Sequence, residues 1–167
     1  MFAAVRYRLS GELKRFMPYL IDGNNLMAQT VGWHRNKAAA RRKLIHALTR
    51  FVALHRRKLK VVFDGVPDNE FPEALTFKSV QIFYARPGSD ADSRIKEMLS
   101  RSSYKRDTIV VTSDRDLASF AKNQGSKVIS SGQFRSMLEE AAATSDKVST
   151  AAVDVEEWLD FFKIPDS

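Results

Sequence analysis

Short apolar runs alternate along the chain with longer segments in which apolar and polar residues mix. Five runs have the length and the flanking residues of buried strands, and they occupy residues 19–22, 60–64, 79–85, 108–112 and 127–130. The first run ends at a Gly-Asn-Asn turn signal, and the third is closed by Pro87 and Gly88. The pattern therefore predicts about five strands.

The longest amphipathic segment, residues 37–58, is predicted to be a helix. Its apolar residues fall on one stripe, at Leu44, Ile45, Leu48, Phe51 and Val52. Further helices are predicted over residues 90–100, 115–123, 133–143 and 153–162. Because strands and helices alternate, the sequence predicts an α/β fold with a central, mainly parallel sheet covered by helices on both faces.

The chain of 167 residues corresponds to about one domain, which is predicted to occupy residues 17–140. Residues 1–16 form a basic extension, and three explanations stay open: a segment upstream of a start at Met17, a transit peptide, or an added element at the domain edge. Residues 141–167 are predicted to hold a linker of small residues, at 141–152, and an acidic C-terminal helix. No apolar run has the length of about 18 residues that a membrane-spanning helix needs.

The composition excludes several classes of site. The chain has no cysteine, which excludes disulfide scaffolds, thiolate zinc sites, iron–sulfur clusters and a cysteine nucleophile. Its formal net charge of +7 favours an anionic partner such as nucleic acid. The charge is also segregated, because residues 23–63 contain basic residues and no acid, whereas residues 139–160 are mostly acidic among their charged residues.

The acid-free segment predicts a surface that binds the phosphates of a nucleic acid. The candidate nucleic-acid-binding residues are Arg35, Lys37, Arg41, Arg42 and Arg50. Binding through such residues is non-specific and sensitive to salt. Trp33, beside them, either stacks an unpaired base or packs on the core.

Six aspartates share one property: each stands at the end of a predicted strand or opens the helix that follows it. They are Asp22, Asp64, Asp90, Asp92, Asp114 and Asp116. In a parallel sheet the carboxyl ends of the strands lie at one edge, where ligands of such sheets bind. Grouped carboxylates repel each other unless a cation neutralises them, and oxygen ligands suit Mg²⁺ or Mn²⁺. The chemistry expected of such a site is phosphoryl transfer to a metal-activated water.

Each acid also has a structural alternative when it is taken singly. Asp90 and Ser113 are suited to cap the helices that follow them, and Asp22 and Asp64 precede glycine, as turn residues do. Capping does not require an acid at the end of strand after strand. The group as a whole therefore favours a site.

Four segments carry a family pattern: YLIDGNNLM at 19–27, VVFDG at 61–65, ADSRI at 91–95, and VVTSDRDLASFAKNQGSKVIS at 110–130. Together they resemble the NYN domain in its YacP-like branch, a group of PIN-like nucleases, over residues 19–134. The resemblance implies a PIN-like three-layer sandwich around a mainly parallel sheet. It also implies a cytoplasmic, metal-dependent endoribonuclease that hydrolyses RNA phosphodiester bonds in RNA turnover or translation-linked mRNA decay.

The resemblance further implies roles for single residues. The catalytic and metal-binding set would be Asp22, Asp92, Asp114 and Asp116, around Mg²⁺ or Mn²⁺, and the supporting residues would be Asn25, Asp64 and Ser113. Asn24 stands where the family commonly has an aromatic residue. The number of metal ions and the part played in catalysis by Asp64 and Asp90 stay open. Cleavage would leave a 5′-phosphate and a 3′-hydroxyl.

Three alternatives remain on the residues alone. A non-catalytic RNA-binding module of the same fold needs only the basic surface. A Toprim-like domain expects a glutamate where this chain has Asp22, and a haloacid-dehalogenase-like phosphatase expects an Asp-x-Asp there. The expected partner is single-stranded or structured RNA, with ribosome-bound mRNA among the candidates, and no membrane. The oligomeric state stays open.

Overall fold

The structure, a computed structural model, describes the backbone of residues 17–161 and the side chains of residues 17–147. Before this range it describes two short strands, β1 (Arg8–Leu9) and β2 (Glu12–Leu13), which pair antiparallel in a sheet of their own. The rest of the basic extension and the side chains of the acidic C-terminal segment lie outside the described residues, and so do the expectations placed on them.

The central sheet has six strands. They are β3 (Tyr19–Asp22), β4 (Leu59–Phe63), β5 (Thr76–Phe77), β6 (Val80–Tyr84), β7 (Ile109–Val111) and β8 (Lys127–Ile129). Their order is β5-β6-β4-β3-β7-β8, and all neighbours are parallel except β5 and β6. The predicted α/β fold with a mainly parallel sheet is thereby confirmed.

The prediction of five strands missed β5, which forms an antiparallel hairpin with β6. The turn between them consists of Lys78 and Ser79, both in the left-handed region with φ of 45° and 67°. Tight hairpin turns usually place Gly or Asn at such positions. Because neither residue is present here, the sequence carried no turn signal at this point.

In the part of the chain that the structure describes, five α-helices cover the two faces of the sheet. They are α1 (Gly23–Met27), α2 (Lys37–His55), α3 (Ala91–Arg101), α4 (Arg115–Asn123) and α5 (Ser131–Phe161). Alternate residues of β3 point to opposite faces, so Ile21 packs with the residues of α2 and α5, whereas Leu20 packs with those of α3 and α4. The result is the predicted three-layer sandwich. Among the described residues, none of the helices is long and apolar enough to cross a membrane.

Helix α5 differs from the expectation of two helices joined by a linker. It runs through residues 141–152 without a break. No glycine or proline occurs between Gly132 and Pro165, and the Ala-rich stretch favours helix. Ala141 is buried in the core beside Phe134, so the first part of the expected linker belongs to the packed domain.

The connections of the sheet change direction at β3. From β3 the chain adds β4 and β6 on one side, and then crosses through α3 to place β7 and β8 on the other side. The carboxyl ends of β3 and β7 therefore flank the crevice in which open α/β sheets bind ligands. Asp22 is the last residue of β3, and Thr112 directly follows β7.

Candidate active site at the carboxyl edge of the sheet

Asp22 lies at the bottom of this crevice and is only 8% exposed. It caps α1, where its Oδ1 accepts the backbone N–H of Asn25 at 3.4 Å, and its Oδ2 accepts the hydroxyl of Thr112 at 3.2 Å. Burial raises the pKa of Asp22 from 3.8 to about 6, and the negative charges of Asp64 and Asp92 contribute in the same direction. The ionised form of Asp22 is therefore poorly solvated and would gain from a nearby cation.

Thr112 is a site residue that sequence reasoning missed. Its hydroxyl donates to Asp22, and the same oxygen accepts the backbone N–H of Asp114 at 3.1 Å. Thr112 thus links the carboxylate at the end of β3 to the loop after β7. The only sequence signal was its position directly before the Ser-Asp-x-Asp segment, because a threonine in a strand is otherwise common.

Asn25 ties three segments together. Its Oδ1 accepts the backbone N–H of Ser113 at 2.8 Å and the hydroxyl of Ser131. Ser113 in turn accepts the backbone N–H of Ser131 at 3.0 Å. These bonds fix α1, the loop after β7 and the start of α5 around the crevice. Ser131, which is fully buried, was not identified from the sequence.

Asp64 follows β4 and braces the start of α3. Its Oδ1 accepts the backbone N–H of Ala91 at 2.7 Å, and its own N–H donates to Asn24 Oδ1 at 3.0 Å. Asn24, which replaces the aromatic residue common in the family pattern, therefore positions the Asp64 loop. Asp64 acts on Asp22 through its charge and on Asp92 by holding the helix that carries it.

Asp92 lies in the first turn of α3 and is half-buried. Its Oδ2 is 2.8 Å from the ammonium of Lys96, whereas its Oδ1 is buried and has no hydrogen-bond partner. A buried carboxylate oxygen without a donor is uncommon, and a cation would satisfy it. The neighbouring Asp90 is exposed and caps α3, since it accepts the N–H of Ser93 at 2.8 Å. That bond lowers the pKa of Asp90, which is the behaviour of a cap.

Asp114 and Asp116 stand at the start of α4, and their charges act on Lys96 of α3. Asp114 caps the helix by accepting the N–H of Leu117 at 2.9 Å, and Asp116 follows in the first turn. Both side chains are exposed. The hydrogen bond that Lys96 donates to Asp92 raises the pKa of Lys96, and the charges of Asp116 and Asp114 add to this effect.

The structure thus brings all four predicted catalytic aspartates to one edge of the sheet, in two groups. In one group the charge of Asp92 acts on Asp22, and in the other Lys96 contacts Asp92 and feels the charges of Asp114 and Asp116. Within residues 17–147, no three acidic or histidine side chains converge closely enough to form a ready-made metal cluster. The hard oxygen donors, together with the unpartnered Oδ1 of Asp92, are of the kind that Mg²⁺ and Mn²⁺ take.

Two of the five predicted RNA-binding residues are engaged with the protein itself. Arg41 donates to the carbonyls of Asp64 and Val66 and stacks on Phe63 and Tyr84, with its guanidinium 5.4 and 5.0 Å from the ring centres. Arg41 therefore supports the loop that carries Asp64.

Arg42 pairs with Asp68 in a two-bonded contact of 3.1 and 3.2 Å, and Glu70 lies 3.4 Å from the same side chain. The acid-free segment of the sequence is thus partly neutralised by acids from the loop after β4. The segregation of charge along the chain does not persist in space at this position.

The other three lie before and after this pair along the chain. Arg35 just before α2 and Lys37 at its first position are exposed, one turn or more before Arg41, and Lys37 lies over the ring of Trp33 at 5.6 Å. Arg50 lies about 13 Å further along the helix than Arg41 at 1.5 Å per residue. There it lines a shallow pocket that also includes Arg56, at the amino edge of the sheet. Of these five residues, Arg35 and Lys37 therefore remain as exposed cations near the carboxylate edge, whereas Arg42, also exposed, is paired with acids.

A three-layer sandwich with aspartates at its switch point is the architecture of the PIN-like class. The chain belongs to the YacP-like NYN domain family, whose model matches residues 19–159. This confirms the resemblance seen in the sequence and gives the chain a nuclease-type, RNA-related domain, rather than a Toprim-like or haloacid-dehalogenase-like one.

Two solved structures are similar to the chain in fold. One is Rae1 (YacP) from Bacillus subtilis, with 23% identity over 87% of this chain and 91% of that chain, and a TM-score of 0.59. The other is a point mutant of that same Bacillus subtilis protein, with 20% identity over 84% of each chain and a TM-score of 0.63. No curated protein matches the chain.

Proposed function

We propose that this protein is an endoribonuclease that hydrolyses RNA with the help of Mg²⁺ or Mn²⁺, in RNA turnover or translation-linked mRNA decay. The observation that carries the proposal is the state of Asp22. This buried carboxylate lies at the switch point of the sheet, next to two other acids, with its pKa raised to about 6. A buried ionisable group lowers the stability of the fold, and groups with such strongly shifted pKa values are concentrated at functional sites.

The residues of the chain would divide the work as follows. Asp22 and Asp114 would hold the cation directly, and Asp92 and Asp116 would complete its shell or hold its waters. Thr112 keeps the Asp22 carboxylate in one orientation, since it donates to Oδ2 and leaves the second lone pair of that oxygen available. When bound, the divalent cation supplies a water of lowered pKa and neutralises the phosphate under attack.

RNA would approach across the start of α2. Arg35 and Lys37 are exposed there, and Trp33 packs half-buried against the core with the ammonium of Lys37 over its ring. Exposed cations of this kind hold phosphates without reading the base sequence. The phosphodiester bond that is cut would then be the one that reaches the carboxylate edge.

The test separates cleavage from binding. End-labelled single-stranded and hairpin RNAs are incubated with the protein in Mn²⁺, in Mg²⁺ and in EDTA, and RNA affinity is measured in parallel. Asp114→Asn is expected to remove cleavage and to keep binding. Glu139→Gln is the matched control, because it also removes one acid but from an exposed pair with Arg135 on α5.

The second candidate is an RNA-binding module without catalysis. The observation in its favour is that Asp22, Asp64 and Asp114 each act as a helix brace or cap. Binding without cutting of any tested RNA, translating ribosomes included, would favour this alternative. Cuts that EDTA and Asp114→Asn both remove would exclude it.

A further inference from the structure

Lys96 bridges the two helices that carry three of the site aspartates. Its ammonium is 2.8 Å from Asp92 Oδ2, one turn earlier on α3. The same ammonium lies over the ring of Phe120 on α4, 5.8 Å from its centre. A single cation therefore contacts α3 and reaches across the seam to α4.

Phe120, the residue of α4 that Lys96 reaches, lies next to Asp116, another of the site aspartates. Phe120 is four residues after Asp116, so the two side chains are neighbours on one face of the helix. Asp116 and Asp114 also act on Lys96 through their charges. Lys96 thus contacts Asp92 and interacts through charge with Asp114 and Asp116, and these are three of the four residues proposed to hold a divalent cation.

We propose that Lys96 is an internal counter-cation of the carboxylate site, which occupies the cation position between α3 and α4 until a divalent cation displaces it from Asp92. This inference rests on the proposed function, since it takes the carboxylates to be a metal site. It accounts for the arrangement of Asp92, whose Oδ2 is held by Lys96 while its Oδ1 has no donor. It also gives the carboxylates at this edge a positive charge from the chain itself, which relieves part of their mutual repulsion.

The two cations compete because both cannot remain in contact with one carboxylate without repelling each other. A single and a double positive charge about 5 Å apart in a water-like medium repel enough to change an affinity by about tenfold. Lys96 is about one-third exposed, so its stem can swing its ammonium into solvent without unpacking the core. Binding of the metal would then require a side-chain movement and no change in the fold.

The test measures binding of Mn²⁺ to the full chain in the absence of RNA, by electron paramagnetic resonance of the free ion and by calorimetry. Lys96→Met keeps the apolar stem over Phe120 and removes the charge. We expect it to bind Mn²⁺ about tenfold more tightly than the unsubstituted protein. Lys96→Gln, as a second variant, is expected to change the affinity in the same direction, and Lys96→Arg is expected to keep it weak.

The matched control is Lys122→Met, which also removes one positive charge, but from the exposed last turn of α4. It lies about 9 Å along the helix from Asp116 at 1.5 Å per residue, so it is expected to change the affinity by less than about twofold. A gain in Lys122→Met equal to that in Lys96→Met would overturn the proposal, since only net charge would then matter. An equal or weaker affinity in Lys96→Met, or no Mn²⁺ binding by any variant, would overturn it as well.

The outcome separates this inference from the proposed function. Tighter Mn²⁺ binding by Lys96→Met in a protein that cleaves no RNA would keep the counter-cation and overturn the nuclease. Metal-dependent cleavage with an unchanged Mn²⁺ affinity in Lys96→Met would keep the nuclease and overturn the counter-cation. A lysine that only supports the structure would change stability in EDTA and leave the Mn²⁺ affinity as it is.

Discussion

The side-chain oxygen of Asn25 accepts the backbone N–H of Ser113, 88 residues later in the chain, at 2.8 Å. This bond joins the segment after β3 to the segment after β7, the two strands whose carboxyl ends form the crevice. The same oxygen also accepts the hydroxyl of Ser131. One amide group therefore holds the loop before Asp114 and the start of α5 in place.

Replacing this amide is expected to loosen the site. Asn25→Ala leaves the N–H of Ser113 and the hydroxyl of Ser131 without their acceptor, which is expected to cost about 1–3 kcal/mol in the free energy of unfolding. Asn25→Asp keeps an acceptor oxygen and should lose less. Urea unfolding of the three proteins measures the difference, and wild-type stability in Asn25→Ala would contradict the role given to Asn25.

The raised pKa of Asp22 predicts how stability depends on pH in metal-free protein. A carboxyl whose pKa is about 6 in the folded state and 3.8 in the unfolded state binds its proton more tightly when folded. Its contribution to stability is therefore greatest below pH 3.8 and is lost as the pH rises through 6, by about 3 kcal/mol in total.

Asp22→Asn removes this titration. We expect the variant to be more stable than the unsubstituted protein at about pH 8 in EDTA, and the difference to shrink towards about pH 4. The hydrogen bond with Arg42 lowers the pKa of Asp68, so the stability that Asp68 contributes is lost only in more acidic solution. The titration of Asp68 therefore does not overlap with that of Asp22. Urea unfolding across this pH range makes the comparison; parallel curves for both proteins would contradict the burial of a charged Asp22.

Gly23 is required by close approach rather than by backbone conformation. A Cβ at this position would lie 2.5 Å from the ring of Phe63 and 2.9 Å from the carbonyl of Val62. Gly23→Ala is therefore expected to cost about 1–3 kcal/mol and to displace Asp22, the residue before it. Gly132→Ala is the control, since a Cβ there would lie 3.8 Å from Gln29, in ordinary contact, and the position is helical. Thermal unfolding distinguishes them, and equal melting temperatures for the two variants would contradict the clash.

The basic residues of α2 are expected to contribute unequally to RNA binding. Lys37→Gln removes an exposed cation near the site and should lower the affinity for RNA. The plot of log affinity against log salt should also become less steep, by about 0.7 for a single strand. Arg42→Gln should change both less, because Asp68 and Glu70 already neutralise that guanidinium. Fluorescence anisotropy in the Asp114→Asn background gives both quantities. A larger effect of Arg42→Gln than of Lys37→Gln would contradict the charge distribution described above.

The sequence was sufficient for the features that depend on local pattern. The strand runs predicted the parallel sheet, and the position of Asp22, Asp92 and Asp114 at the ends of strands or the starts of helices predicted that they share an edge. The turn at Lys78 and Ser79 was missed because its backbone angles are set by the hairpin and not by turn-forming residues.

Other features depend on which segments meet in space. The pairing of Arg42 with Asp68 joins α2 to the loop after β4, and the contact of Lys96 with Phe120 joins α3 to α4. Thr112 is a common strand residue until Asp22 is found beside it. These contacts arise from the packing of the three layers, and the spacing of residues along the chain does not predict them.

The ends of the RNA products test the central claim most directly. RNA cut by the protein in Mn²⁺ or Mg²⁺ is analysed for the groups on either side of the break, with EDTA and Asp114→Asn as controls. Hydrolysis at the carboxylate edge predicts a 5′-phosphate and a 3′-hydroxyl, formed only with the divalent cation and lost with Asp114→Asn. A 2′,3′-cyclic phosphate formed in EDTA, at the same rate in both proteins, would contradict a metal-dependent site at these aspartates.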